Sequence, residues 1–330
     1  MLEEKIDFVI TWVDGNDEEW RKEKDKYSPH KSEDNRQIRY RDWGILKYWF
    51  RGIEKFAPWV NKIHFVTWGH VPEWLDIDHP KLNVVNHKDF IPNEYLPTFN
   101  SRAIELNLHR IEGLSQQFVY FNDDTFLLKP VKKEDFFRKG LPCDIFNLNT
   151  IPPTDSTYVS MLFNNMKIIN SHFNKQEYIK KNFFKLFNLK YGLKLIRTLM
   201  LTPWREFTGI DNPHIATSYL KSSFEKVWLL EEDILKETSS HRFRNHSDVN
   251  PYLFRYWQLV TSNFVPTKSL GKLLVLDDNN SKIYNTVTKQ KYKMLCINDA
   301  TNIKKESLIR EKLNYSFKTI LPQTSNFEQN

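Results

Sequence analysis

Asn122-Asp123-Asp124 sets two adjacent carboxylates between the apolar runs Phe118–Phe121 and Phe126–Leu128. A hard divalent cation needs several oxygens held in fixed directions, and a strand end can hold them. A cation so placed can bridge to a diphosphate and offset charge on a leaving group. The same composition also makes ordinary turns, in which Asn and Asp bond their own backbone, although a solvated turn rarely joins two buried strands. A second acidic turn, Asp14-Gly15-Asn16-Asp17, closes the run Ile6–Val13 and reads equally as a turn or as a ligand loop. Two further segments carry chemistry-bearing groups. His214 lies in Asp211-Asn212-Pro213-His214, and a histidine can act as a general base near neutral pH or serve as a structural residue. In His241-Arg242-Phe243-Arg244, with Asp248 four residues on, the guanidiniums can clamp a phosphate or close a salt-bridged loop. None of these decides a function alone.

The elements that must position them follow from the pattern. Ile6–Val13 is β-branched and aromatic and reads as a buried strand, with Lys62–Trp68, Leu82–Val85, Gln117–Phe121 and Thr125–Leu128 as further strands. Trp43, Leu46, Trp49 or Phe50, Ile53 and Phe56 recur at three- and four-residue steps, which predicts an amphipathic helix ending at Pro58. Ile104, Leu108 and Ile111 predict another, capped by Asn100 or Ser101. Residues 18–40 read as a polar excursion over the site, 214–221 and 252–260 as helical, and the end from Pro322 as frayed. The alternation of strand and helix is that of an α/β nucleotide-binding sheet. Its first loop is delivered to the carboxyl edge, where ligands of such sheets bind.

Composition narrows the partners without naming one. With 330 residues, 40% hydrophobic and 15% aromatic, the chain can bury a large core. Lys and Arg number 48 against 41 Asp and Glu, a formal charge of +7, which favours anionic partners. Nucleic acid, nucleotide, phospholipid and phosphorylated glycan all fit, as does a basic surface that serves solubility. Cys143 and Cys296 lie far apart with no CxxC spacing, so neither a disulfide framework nor a structural zinc site is expected and a cytoplasmic setting is. No signal h-region or membrane-spanning run is legible. Residues 167–197 hold eight Lys or Arg, one acid and six interleaved Phe or Tyr. That stretch can lie on an anionic membrane, bind a polyanion, or pack its rings inward with its cations in water.

Together these segments resemble the Stealth family of sugar-1-phosphate transferases. The resemblance rests on four ordered blocks: Ile6–Asp17; Arg41-Asp42-Trp43 through Phe121–Phe126, including Asn100–Glu105; Asp211–His214 through Arg244 and Asp248; and Cys296–Asp299. It implies an α/β, GT-A-like nucleotide-sugar-binding sheet with helices on both faces and a helical, basic insertion in the second half. A single catalytic domain over 1–330 is expected, with the core at 1–140, the basic aromatic insertion at 141–205, the rest of the core at 206–320 and a frayed tail at 321–330. The implied reaction moves hexose 1-phosphate from a UDP-hexose to a glycan or lipid-linked oligosaccharide acceptor, releasing UMP. His214, Arg244 and Asp124 are the implied catalytic residues. Thr11, Trp12, Asp14, Gly15, Asn16, Ser101, Arg102 and Asp123 are implied to line the donor, and Asp124, Asn298 and Asp299 to hold Mg2+ or Mn2+. Nucleic acid is not expected, and 167–197 is the expected peripheral contact with the inner face of the plasma membrane. The rivals are a glycosyltransferase of the same fold, releasing UDP, and a noncatalytic membrane- or polyanion-binding module.

Overall fold

The computed structural model describes residues 5–28, 41–300 and 303–329. Its main sheet contains β1 (Ile6–Thr11), β2 (Ile63–Thr67), β3 (Leu82–Asn86), β4 (Gln117–Asn122) and β8 (Thr217–Leu220), in the order β3-β2-β1-β4-β8. The first four are parallel and β8 runs antiparallel at the edge. A second sheet joins β5 (Thr125–Leu127), β10 (Gly271–Val275) and β11 (Met294–Asn298) in the order β10-β11-β5, and a third joins β6 (Phe137–Arg138), β7 (Leu141–Asp144) and β9 (Val265–Pro266). The helices are α1 (Glu18–Tyr27), α2 (Leu46–Phe56), α3 (Ser101–Leu106), α4 (Lys133–Phe136), α5 (Thr157–His172), α6 (Lys175–Leu186), α7 (Lys194–Leu201), α8 (Lys221–Leu230), α9 (Glu232–Ser240), α10 (Tyr252–Val260), α11 (Ser281–Thr288) and α12 (Glu306–Ile320).

β1 is apolar apart from Asp7 and its last residue, Thr11, because both its faces are covered. Phe8 and Ile10 point into one core with α2 and α12, while Val9 points into the other with α8 and α10. Phe8 meets Phe121 at 4.9 Å, Trp59 at 5.5 Å and Phe136 at 5.6 Å, and burying such a ring contributes about 2–3 kcal/mol. Helices on both faces of a mostly parallel sheet make the molecule α/β, as the sequence pattern predicts. Asp7 is fully buried yet ties the amino ends of three strands together. It accepts from Asn61 Nδ2, the backbone N–H of Lys62 and Ser115, and pairs with His64 Nε2 at 3.2 Å. Burial works to raise its pKa, but these bonds together hold it below the ordinary value.

The strand order places a topological switch point between β1 and β4, since the chain runs from β1 to β2 and β3 on one side and then crosses to β4 on the other. Ligands of open α/β sheets bind in the crevice outside the carboxyl ends of the strands at such a point. Thr11 lies directly beside Asn122 there, so the Asp14 loop and the Asp123-Asp124 turn leave the sheet side by side.

Three expectations need correction. Residues 217–220 form an edge strand, and the helix begins only at Lys221: Ser218 and Tyr219 gain ladder partners on β4, which outweighs the weak helical pattern of so short a segment. The end of the chain is packed. Phe327 is 3% exposed, Arg51 forks onto both carboxylate oxygens of Glu328 at 2.7 and 2.6 Å, and the Gln329 N–H donates to the Trp74 carbonyl, so the polar tail is held by a buried ring, a bidentate pair and backbone bonds. Of the excursion over 18–40, the first part is helix α1, capped by Asp17; residues 29–40 lie outside the described residues.

Candidate active site

The first wall of the crevice is the loop after β1. Asp14 accepts from the Asn16 N–H at 2.8 Å, Asp17 caps α1, and Arg21 donates to the Gly15 carbonyl and to Asn16 Oδ1. Trp12 stacks on Phe65 and meets the edge of His70. His70 accepts the Asp14 N–H at Nε2, which leaves its proton on Nδ1, 3.7 Å from the Asp17 carboxylate. Burial lowers the His70 pKa against the pull of Asp17 and Asp14, so the neutral ring is the form that supports the turn.

The floor is the turn after β4. Asp124 offers its carbonyl to the Ile297 N–H and its Oδ1 to the Thr125 hydroxyl, and Cys296 sits opposite Thr125 in register. Carboxylate, imidazole and thiol atoms of Asp124, His214 and Cys296 all lie within 4.8 Å of one another. Burial raises the Asp124 pKa, while His214, the Cys296 thiol and Thr125 work to lower it. Asp123 is solvent-exposed at its tip. The protein around it, then the charges of Asp124 and Asp42, raise its pKa. The carboxylates of Asp123, Asp124 and Asp42 act on one another as like charges, a local negative field that a divalent ion would offset. Asp123 and Asp124 therefore fit the expected ion.

His214 sits at φ +48°, a left-handed conformation that costs a non-glycine residue free energy and clusters at functional sites. Its loop is over-determined: Asp211 takes Lys194 and Arg197, Asn212 donates to Tyr256 Oη, and the buried Arg255 bonds the Asp211 carbonyl, Asn212 Oδ1 and both oxygens of Asp144. His214 Nδ1 lies 3.2 Å from Tyr252 Oη.

The opposite wall is α3 and the 241–248 loop. Arg244 Nη2 donates to Ser101 Oγ at 2.9 Å. Glu105, half-buried on α3, is pushed up to about 7 by burial, against the pull of Arg244, hydrogen bonds to Tyr120 and Ser101, and Arg102. Tyr120 in turn shares a 2.9 Å bond with Thr11 Oγ1. Sequence reasoning missed Glu105, Tyr120 and Tyr252. Glu105 carried one usable signal, a carboxylate inside the otherwise apolar helix turn Ala103-Ile104-Glu105-Leu106.

The other sequence candidates divide. Thr11, Trp12, Asp14, Gly15, Asn16 and Asp123 lie at or just beyond the carboxyl ends of β1 and β4, and Ser101 is tied to them through Arg244, Glu105 and Tyr120. Arg102 is 3% exposed, with Nη1 on Asp248 and the Asn245 carbonyl and Nη2 on the Thr157 carbonyl. It braces the loop that carries Arg244 and is spent before it could reach a phosphate. Of the expected ion ligands beside Asp124, Asp299 keeps one carboxylate oxygen, Oδ2, buried without a hydrogen-bond partner. Asp299 turns to Arg41 at 3.2 Å and to the Ala300 N–H, Asn298 is exposed at the end of β11, and the groups gathered on Asp124 are His214 and Cys296.

Comparison with known proteins bears on this geometry. Residues 4–32 match the model of Stealth protein CR1, conserved region 1, and residues 39–143 that of Stealth protein CR2, conserved region 2. The chain is 43% identical over 330 residues to a capsular polysaccharide phosphotransferase WcwK of Streptococcus pneumoniae, covering 99% of this chain and 98% of the relative. The chain belongs to the Stealth family. Another Stealth relative, the exopolysaccharide phosphotransferase cps2G of Lactiplantibacillus plantarum, is 44% identical, with 98% of this chain and 96% of the relative covered. The receptor polysaccharide phosphotransferase WefC of Streptococcus gordonii is 42% identical, with 98% and 99% covered. Among solved structures, the bifunctional glycosyltransferase WbbM in its apo form superposes with TM-score 0.37 at 11% identity, over 98% of this chain and 50% of that one. The first Stealth region supplies β1, its loop and α1, and the second supplies α2 through β4 with the Asp123-Asp124 turn, so the two regions frame the crevice from both sides of the switch point.

Proposed function

We propose that this Stealth protein transfers hexose or N-acetylhexosamine 1-phosphate from a UDP-sugar to a glycan hydroxyl, releasing UMP. The reading is carried by the approach of His214 to Asp124 within 4.8 Å at the turn after β4, with Arg244 tied through Ser101, Glu105 and Tyr120 to Thr11 at the end of β1. Full-length similarity to three polysaccharide phosphotransferases supports it. The donor lies along Trp12 to Asn16, with its diphosphate toward Asp123 and Asp124. A divalent cation held by those carboxylates, Mg2+ or Mn2+, supplies neutralising charge to the diphosphate when bound.

Tyr252 accepts the Nδ1 proton of His214, which leaves Nε2 free to take the proton of the acceptor hydroxyl. The hydroxyl oxygen forms its new bond to the β-phosphorus, the bond from that phosphorus to the bridging oxygen breaks, and UMP departs with the electron pair. The bond between the sugar and its phosphate is untouched, so the anomeric configuration persists. Arg244 meets the charge on the transferring phosphoryl oxygens, held in place by Ser101. The acceptor reaches this point through an open groove of about 510 Å3 lined by Asp155, Ser160, Phe163, Asn164 and His246, two residues beyond Arg244. Its exposed Phe163 ring offers a sugar a flat apolar surface.

Purified protein with a panel of UDP-sugars and Mg2+ or Mn2+ tests the reading by the nucleotide released. UMP supports it; UDP without UMP identifies a glycosyltransferase instead.

A further inference from the structure

We propose that the end of α6, the turn that follows it and α7 form a docking ridge for a bilayer containing anionic lipid. Of the eighteen large apolar side chains exposed among the described residues, eight fall between Phe183 and Trp204. Leu189, Leu193, Phe184 and Met200 are 89%, 85%, 82% and 69% exposed. Soluble proteins seldom leave so many large apolar groups in water in one place without a partner for them.

The helix pattern shows that the exposure belongs to one face. Leu193, Ile196 and Met200, three and then four residues apart, share a side of α7 and face solvent. The other side is spent inward: Thr198 accepts from the Leu148 N–H, Leu201 is buried, and Arg197 donates to the Leu148 carbonyl. The helix is amphipathic with its apolar stripe turned out.

Charge selects the occupant. From Tyr178 to Arg205 the chain carries seven Lys or Arg and no Asp or Glu. Lys180, Lys181, Lys190, Lys194 and Arg205 remain exposed around the apolar stripe. Lys185 turns inward onto the carbonyls of Ser262 and Phe264, and Lys175 is buried on the Leu201 carbonyl. This narrows the sequence expectation for 167–197 to the apolar stripe and the cations exposed around it. A band of cations around an apolar ridge matches the two layers of an anionic membrane surface, phosphates above and acyl chains beneath. No helix among the described residues is long and apolar enough to cross a membrane, so the contact is one of lying on the surface.

The ridge is coupled to the crevice. Lys194 and Arg197 of α7 hold the carboxylate of Asp211 at 2.5 and 3.0 Å, three residues before His214. A bilayer seated on α7 would place a lipid-borne acceptor beside the loop that carries the proposed base.

Cosedimentation of the full chain with vesicles decides the proposal, using phosphatidylcholine alone and an equal mixture with phosphatidylglycerol. The wild type should partition onto the mixed vesicles. The triple variant Leu193→Asp, Ile196→Asp, Met200→Asp should lose at least about a hundredfold in partitioning. Lys180→Gln with Lys190→Gln should lose roughly tenfold or more, and less at high salt. Both variants should keep the wild-type melting temperature and UMP release with a water-soluble acceptor. A wild type that stays in the supernatant, or a triple variant that sediments like it, overturns the proposal. A wild-type dimer that the triple variant converts to monomer, with no vesicle binding by either, assigns the ridge to a second copy of the chain instead.

Discussion

The Nδ1 atom of His214 lies 3.2 Å from the phenol oxygen of Tyr252, on a loop whose backbone is held at φ +48°. With the phenol oxygen accepting from Nδ1, as proposed, the bond holds the proton there, so its loss should impair turnover without removing the imidazole. Tyr252→Phe should lower kcat about tenfold and leave the donor KM near the wild-type value. His214→Ala should cost at least about a hundredfold in kcat. Steady-state UMP release reads both, and a normal rate in the histidine variant removes it from the scheme.

Asp248 and Arg244 share a loop and should fail in opposite ways. The buried Asp248 carboxylate accepts from Asn100, Arg102, the Asn245 N–H and His241. Asp248→Ala strands the Arg102 cation and should cost about 3–5 kcal/mol in urea unfolding. Arg244 faces the crevice, so Arg244→Ala should leave unfolding within about 0.5 kcal/mol of wild type and lower turnover roughly a thousandfold. Comparable destabilisation by both would make Arg244 a structural residue.

Glu105 sets a pH dependence of stability. Its ordinary value is 4.5 and its folded value about 7, so between these the folded state binds the extra proton. Stability contributed by that proton is present below about 4.5 and declines as pH rises toward 7. The full shift would be worth about 3 kcal/mol; for a half-buried group open to the crevice, about 2 kcal/mol is the expected size. Glu105→Gln should flatten this part of the curve, and chemical denaturation at a series of pH values compares the two slopes. Equal slopes would remove Glu105 as their source.

Phe163 is 57% exposed on the groove that also holds His246, two residues after Arg244 in the chain, and it belongs to neither apolar core. If the acceptor sugar stacks there, Phe163→Ala should raise the acceptor KM about fivefold with kcat and donor KM little changed, a loss of about 1 kcal/mol. An unchanged acceptor KM would place the acceptor elsewhere.

The parallel sheet was legible because its strands are buried on both faces and read as unbroken apolar runs, Ile6–Val13 and Phe118–Phe121 among them. The turns after β1 and β4 were legible for the same reason, since each follows such a run. What the sequence did not show is pairing between distant segments. Thr217–Leu220 becomes a strand only because β4 lies beside it. Cys296 joins Asp124 only because β11 pairs with β5, and Glu328 helps hold the tail through Arg51, distant in sequence. Arg102 and Arg244 look alike as residue types, and the bonds of Arg102 to Asp248, Asn245 and Thr157 make it the brace, while Arg244 turns to Ser101. The apolar stripe of α7 was hidden because a stripe that faces water has the same spacing as one that faces a core.

Asp123 and Asp124 make the last prediction, the response to a divalent cation. Their crowding with Asp42 predicts that Mg2+ together with the UDP-sugar stabilises the fold, by about 2.7 kcal/mol when the ligand is at a hundred times its Kd. EDTA should abolish UMP release, and added Mg2+ should restore it. Asp124→Asn should remove both the turnover and the Mg2+-dependent shift in melting temperature. Cys296 separates a hard-ion site from a softer one: its thiol pKa is raised by burial, then by Asp124, and a neutral thiol is a poor ligand for Mg2+. Cys296→Ala should therefore keep the Mg2+-dependent shift within a few tenths of a kcal/mol of wild type. Loss of the shift in that variant, with the fold intact by circular dichroism, would move the ion from the Asp123-Asp124 pair to the Asp124, His214 and Cys296 cluster.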